Sequence, residues 1–195
     1  LIKNRSFEFD QPLMGWEQKK TDRFSTNKES GSALIINRGG SSNKRFARIE
    51  TYAEKGYVLS NQGFRGMGIR KGVACNFSIL ANHLEVITKI RIELVSSGGA
   101  TLAETTIDIT ENEWKKYSAT LTPAETDPKA TLNLWFEGVG VTDIDMVSMF
   151  PSDTWKGRPN GLRADLVQLL ADMKPGFLRF PGGCIVEGRA LTTRY

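Results

Sequence analysis

In the run Thr131-Leu132-Asn133-Leu134-Trp135-Phe136-Glu137, apolar and polar residues alternate. If the run is a strand, Leu132, Leu134 and Phe136 turn to one side, while Thr131, Asn133, Trp135 and Glu137 turn to the other. A flat indole then stands on the polar side between an amide and a carboxylate. Such a group can lie against the apolar face of a sugar ring while its neighbours hydrogen-bond the ring hydroxyls. Two readings stay open here. Trp135 is a ligand platform, or the polar face is covered by a sheet edge or an adjoining domain and the ring makes an interdomain contact. Arg48 and Glu50 alternate with Ala47 and Ile49 in "RFARIETY", so they either line the same surface as Trp135 or stand as solvated charges. Tyr52, Tyr57 and Phe64, near loops, are secondary candidates for sugar contact.

Other chemistries find little support. His83 is the one histidine, so no site that depends on two imidazoles can be assembled. Cys75 and Cys184 have no CxxC or CxxH neighbour, which argues against a thiolate metal site. Cys75 alternates with Phe77 and Ile79 and reads as a small buried hydrophobe. The run "GFRGMG" at 63–68 lacks the spacing and following helix of a phosphate loop and reads as a loop between strands. Trp16 and Trp114 are expected in the core, and Trp155 is expected as a plug in a link between domains.

The elements that must position these groups are strands. Strand signals recur between turn clusters in "SALIINR", "RFARIETY", "ACNFSILAN", "EVITKIRIELVS", "TLAETTIDI", "KKYSATLT" and "TLNLWFEGV". Ile90, Ile92 and Leu94 share one face while Lys89, Arg91 and Glu93 share the other, and Ser97-Gly98-Gly99 predicts a hairpin with the next strand. Helical periodicity is absent before Asn160. The expected fold is mainly β: an antiparallel β-sandwich of jelly-roll, galactose-binding-like form over residues 1–150.

The segment 151–195 has a different character. Leu162, Leu166, Leu169, Leu170 and Met173 recur on one helical face, and Lys174-Pro175-Gly176 supply the stop. Phe177 to Phe180 then read as a short buried strand ended by Pro181-Gly182-Gly183. Helix, strand and loop are the repeating unit of a (β/α)8 barrel, of which this stretch is expected to be a linker plus an incomplete start.

Charge and composition exclude further classes. The formal charge is +4 with both signs interspersed, and no basic tract of the kind that tracks phosphates occurs, so nucleic acid is not expected as a partner. Hydrophobic content of 39% and charged content of 25% are those of an ordinary soluble globular chain. No run approaches the ~20 apolar residues of a membrane span, and no membrane partner is expected.

The tail "MVSMFPSDTWKGRPNGLRADLVQLLADMKPGFLRFPGGCIVEG" resembles the α-L-arabinofuranosidases of glycoside hydrolase family 51, and "LIKNRSFEF" at 1–9 resembles the segment after their first barrel strand. The middle is similar, more loosely, to the β-sandwich carbohydrate-binding modules of families 4 and 9. The resemblance implies a module-like lobe inserted in the barrel of a retaining glycosidase that acts on arabinose-containing plant polysaccharides. It implies an extracellular or periplasmic location. Both catalytic carboxylates of that family would lie beyond Tyr195, so this polypeptide alone is expected to be inactive. Cys184 and Glu187 fall, by the motif, near the substrate pocket of the parent enzyme. Modules of this type often hold a structural Ca2+ between first and last strands, and the matching residues are Glu8 and Asp145. Three functions compete: a sugar-binding module beside its enzyme, an insertion that shapes the active-site cleft or mediates homo-oligomer contacts without binding sugar, and an independent lectin-like protein. Arabinose-containing polysaccharide and the rest of the parent barrel are the expected partners.

Overall fold

The structure is a computed structural model, and it describes residues 1–19, 30–40, 43–54, 56–177 and 179. The chain divides into two compact units, Leu1–Ser152 and Asp153–Tyr195.

Among the described residues eleven strands build the first unit: β1 Trp16–Gln18, β2 Gly31–Asn37, β3 Arg45–Thr51, β4 Tyr57–Asn61, β5 Met67–Ile69, β6 Cys75–His83, β7 Thr88–Val95, β8 Thr101–Ile109, β9 Lys115–Leu121, β10 Asp127–Glu137 and β11 Gly140–Pro151. They form two antiparallel sheets. One runs β1-β4-β10-β7-β8, with β5 added to β10; the other runs β2-β3-β11-β6-β9. The sandwich read from alternation is therefore present. Ile90, Ile92 and Leu94 of β7 meet Leu132, Leu134 and Phe136 of β10 in the core, together with Ala47 and Ile49 of β3 and Cys75, Phe77 and Ile79 of β6. Burying each large aliphatic of this set contributes about 1.5–3 kcal/mol.

The β7–β8 hairpin forms as its glycines suggest. Ser96 N–H donates to Ala100 O at 2.8 Å and Gly99 takes a φ of 91°, a turn that a β-branched residue would resist.

Residues 1–15 form turns and irregular backbone, and the first strand begins at Trp16. Asn4 organises this segment. Its side-chain amide donates to Pro12 O at 2.7 Å and Met14 O at 3.2 Å, its side-chain oxygen accepts from Phe9 N–H at 3.2 Å, and its carbonyl accepts from the Trp16 indole at 3.0 Å. Trp16 stacks on Phe7 with ring centroids 5.6 Å apart and is buried, as expected of a core tryptophan. Cys75 is also buried, and burial pushes its thiol pKa up. Trp114 departs from expectation. It packs edge-on to Phe46 at 5.3 Å, and Phe46 lies on the outward row of β3 with Arg48, so Trp114 is half-buried outside the sandwich core. Its position just before β9 puts it past the alternating run, where strand periodicity no longer says which way a side chain turns.

In the second unit, a short 3-10 turn at Trp155–Gly157 leads to helix α1, Ala164–Asp172. The helix is where the apolar spacing put it. None of its residues is buried, and Leu166, Leu169 and Leu170 are exposed, with Leu162 and Met173 beside it. Of the expected strand at Phe177–Phe180, Leu178 and Phe180 lie outside the described residues, and Phe177 is exposed and in no strand.

Candidate functional site

The outward face of the β1-β4-β10-β7-β8 sheet is built from cross-strand rows. Register places Glu17 opposite Ser60, Ser60 opposite Asn133, Asn133 opposite Glu93, and Glu93 opposite Glu104. The neighbouring row is Val58, Trp135, Arg91 and Thr106, and Glu137, Lys89 and Asp108 form the next. Because their partners on the alternate positions are the core aliphatics, all of these point away from the core.

Glu93 ties the first two rows together. Its Oε2 accepts from the Trp135 indole Nε1 at 2.9 Å and from Asn133 Nδ2 at 3.1 Å, and its Oε1 accepts from the Thr101 hydroxyl at 2.8 Å. Partial burial raises the Glu93 carboxyl pKa, yet the hydrogen bonds from Asn133, Trp135 and Thr101, with Arg91 nearby, outweigh it and hold the group below the usual carboxylate range. Arg91 lies over the Trp135 ring at 4.6 Å from its centroid while its Nε donates to Glu137 Oε1 at 2.8 Å. The indole is thereby fixed in orientation by a carboxylate at its edge and a guanidinium on its face.

Trp135 is half-buried and Glu137 is half-buried on this face. Asn133 plays a different part from the one its alternation suggested. It is 5% exposed, and its side-chain oxygen accepts from Ser60 Oγ at 2.8 Å and Lys19 Nζ at 3.3 Å while its amide nitrogen serves Glu93. It frames Trp135 and has no free edge for a hydroxyl. Glu93 and Arg91, which hold the indole, were legible only as polar residues of β7. Their meeting with Trp135 depends on register between strands about forty residues apart.

Arg48 and Glu50 do not line this surface. They belong to β3 in the other sheet, whose core-facing residues are Ala47 and Ile49, so they sit on the opposite outer face of the sandwich. There Arg48 makes two hydrogen bonds to Asp143, at 2.7 and 2.9 Å, and Tyr52 Oη donates to Glu50 Oε2 at 2.7 Å. Arg38 lies over both Phe46 and Trp114, at 5.0 and 5.1 Å, which caps these rings with a cation. Tyr57 is fully buried and Phe64 is exposed at a loop tip. Cys184 and Glu187 lie outside the described residues.

The pair matched to calcium is engaged by protein donors. Glu8 Oε1 accepts from the Arg45 backbone N–H at 2.6 Å. Asp145 Oδ2 accepts from Arg38 Nη2 at 3.0 Å and Asn43 Nδ2 at 2.8 Å, and its Oδ1 accepts from Met146 N–H at 2.7 Å. Among the described residues no trio of His, Cys, Asp or Glu stands close enough to hold a metal. With a guanidinium already on Asp145, these side chains as placed do not suit Ca2+, which takes six to eight oxygens.

No family model matches the chain. It is 32% identical to an extracellular exo-α-L-arabinofuranosidase of Streptomyces chartreusis over 96% of its own length, which is 22% of that protein. It thus spans about a fifth of the length of the curated relatives that it matches. Among solved structures, an arabinose-bound α-L-arabinofuranosidase, MgGH51, superposes at a TM-score of 0.83 with 23% identity, over 100% of this chain and 33% of that one. A structure described as a CBM4 superposes at 0.51 with 14% identity, over 77% of this chain and 99% of that one. The last two likenesses concern the fold.

Proposed function

Homologues described as α-L-arabinofuranosidases run along most of this chain, and on that premise we propose that its β-sandwich is a non-catalytic region of such a glycoside hydrolase that binds arabinose-containing plant polysaccharide. The observation that carries the reading is Trp135: an indole outside the core, oriented by Glu93 and Arg91 on a polar sheet face. One ring face stacks on the sugar, and Glu137 and Glu104 accept from its hydroxyls. The module-like fold supports the same reading. Catalysis belongs, on this proposal, to the remainder of the whole protein, which works outside the cell; this polypeptide by itself does not hydrolyse an aryl α-L-arabinofuranoside.

Affinity electrophoresis in gels containing arabinan or arabinoxylan tests it. The wild-type chain is retarded, and Trp135→Ala weakens retention on the order of tenfold, the worth of one sugar face buried on an indole. Equal mobility with and without polysaccharide overturns the reading.

A second reading is favoured by two observations. Arg91 already covers one face of Trp135, and Val58, beside it in register, is 1% exposed although it points outward. On this reading the sandwich is a structural insertion that shapes the active-site cleft or a contact between copies. It expects no retention by any polysaccharide.

A further inference from the structure

A cleft of about 320 Å3 opens at the β1–β4 edge of the sheet that carries Trp135, bounded by the 62–66 loop and the start of the chain. Its volume falls at the small end of ligand clefts, ~300–1,000 Å3. The walls are fixed by Asn61, which is fully buried. Its Nδ2 donates to Lys3 O at 2.9 Å, and its Oδ1 accepts from Lys3 N–H at 3.2 Å and Gly63 N–H at 2.9 Å. The loop itself closes with Gly66 N–H on Gln62 O at 2.8 Å. Gly66 holds a φ of 93°, and a Cβ there would meet Lys129 Cα at 2.6 Å, so the turn that presents Phe64 and Arg65 requires glycine.

The lining is chemically asymmetric. Lys3 and Arg65 bring two cations, Glu17 one carboxylate, and Gln62 an amide. Among the described residues none of these four side chains has a hydrogen-bond or ion-pair partner, in contrast to the saturated network around Glu93. Phe64 stands at the rim, 71% exposed, with a ring face free for stacking.

We infer that this cleft is a second sugar subsite, selective for a residue that carries a carboxylate, a hexuronic acid within the polysaccharide. The Arg65 fork and the Lys3 ammonium take the carboxylate, Phe64 takes the apolar ring face, and Glu17 and Gln62 take the hydroxyls. The inference rests on the reading of the sandwich as a sugar-binding region, which it deepens by adding a charge preference on the row that leads through Ser60 to Asn133.

The test compares retention of the full chain by a glucuronic-acid-substituted xylan, by the same xylan after carboxyl reduction, and by neutral arabinan. Wild type is retained three- to fivefold more strongly by the acidic xylan than by its reduced form, the size expected of two partly exposed ion pairs, and added salt erases the difference. Arg65→Gln with Lys3→Gln removes the preference and leaves arabinan retention unchanged. Phe64→Ala weakens retention by both xylans. Equal retention of acidic and reduced xylan, with arabinan still bound, overturns the cleft alone. A preference that survives the double substitution also overturns it, whereas no retention by any of the three polymers overturns the sugar-binding reading with it.

Discussion

Glu93 is a partly buried carboxylate that accepts three side-chain hydrogen bonds, and its protonation would disturb all of them at once. Its folded pKa lies below the ordinary value, so it binds its proton less readily in the native state than in the unfolded chain. The stability it contributes is present above the usual Glu pKa of about 4.3 and is lost as pH falls through the depressed folded value. Glu93→Gln should therefore flatten the acid limb of the stability curve relative to wild type, with urea unfolding between about pH 5 and 3 as the measurement. Parallel acid limbs for the two proteins would count against the network. Asp145 behaves oppositely: burial pushes its carboxyl up, more than Asn43, the Met146 N–H and Arg38 draw it down. Its ionised form therefore costs stability above the raised folded pKa, and an added cation is one way to offset that cost. Arg38 already serves as the cation. We expect the thermal midpoint to be unchanged by a chelator followed by excess calcium; a rise on adding calcium would mean that the ion displaces Arg38.

At the scale of elements, legibility followed burial on one face. β6, β7 and β10 each bury alternate residues and were readable by period, whereas β4 is buried at all five positions and offers no period. β1 and β5 are three residues each, too short for alternation to register. In β11 a bulge between Asp145 and Ser148, with Met146 at a φ of 50°, breaks the alternation that would have marked the strand's second half. The candidate site divides in the same way. Trp135 stood out within its own strand, while Glu93, Arg91 and the burial of Asn133 follow from pairing between strands, and the separation of Arg48 from Trp135 follows from sheet assignment. The run 63–68 was read as a loop between strands; Met67 and Gly68 instead open β5, and the role of the remaining loop as a cleft wall depends on contact with residues 1–4. Gly66→Ala checks that role: the added methyl at positive φ against the Lys129 backbone should cost about 1–3 kcal/mol in urea unfolding. A neutral result would mean that the loop relaxes without difficulty and that the cleft is not rigid.

For the whole molecule, the two sheets share one core and turn different chemistries outward. One face carries Trp135 within a ring of carboxylates and leads to a cleft with two cations that have no partner among the described residues; the other carries aromatic rings capped by Arg38 and the Arg48–Asp143 pair. On the proposed reading sugar recognition belongs to the first face, while on the second the Arg48 and Arg38 guanidinium groups are already engaged by Asp143 and Asp145. The four tryptophans make this division measurable, because Trp135 lies on that face while Trp16 is buried and Trp114 belongs to the other. Indole N–H signals in a 1H–15N NMR titration with an arabino-oligosaccharide report each site separately. The account predicts that the Trp135 signal shifts saturably while those of Trp16 and Trp114 stay in place. A titration in which no indole moves, or in which Trp114 moves and Trp135 does not, would contradict it.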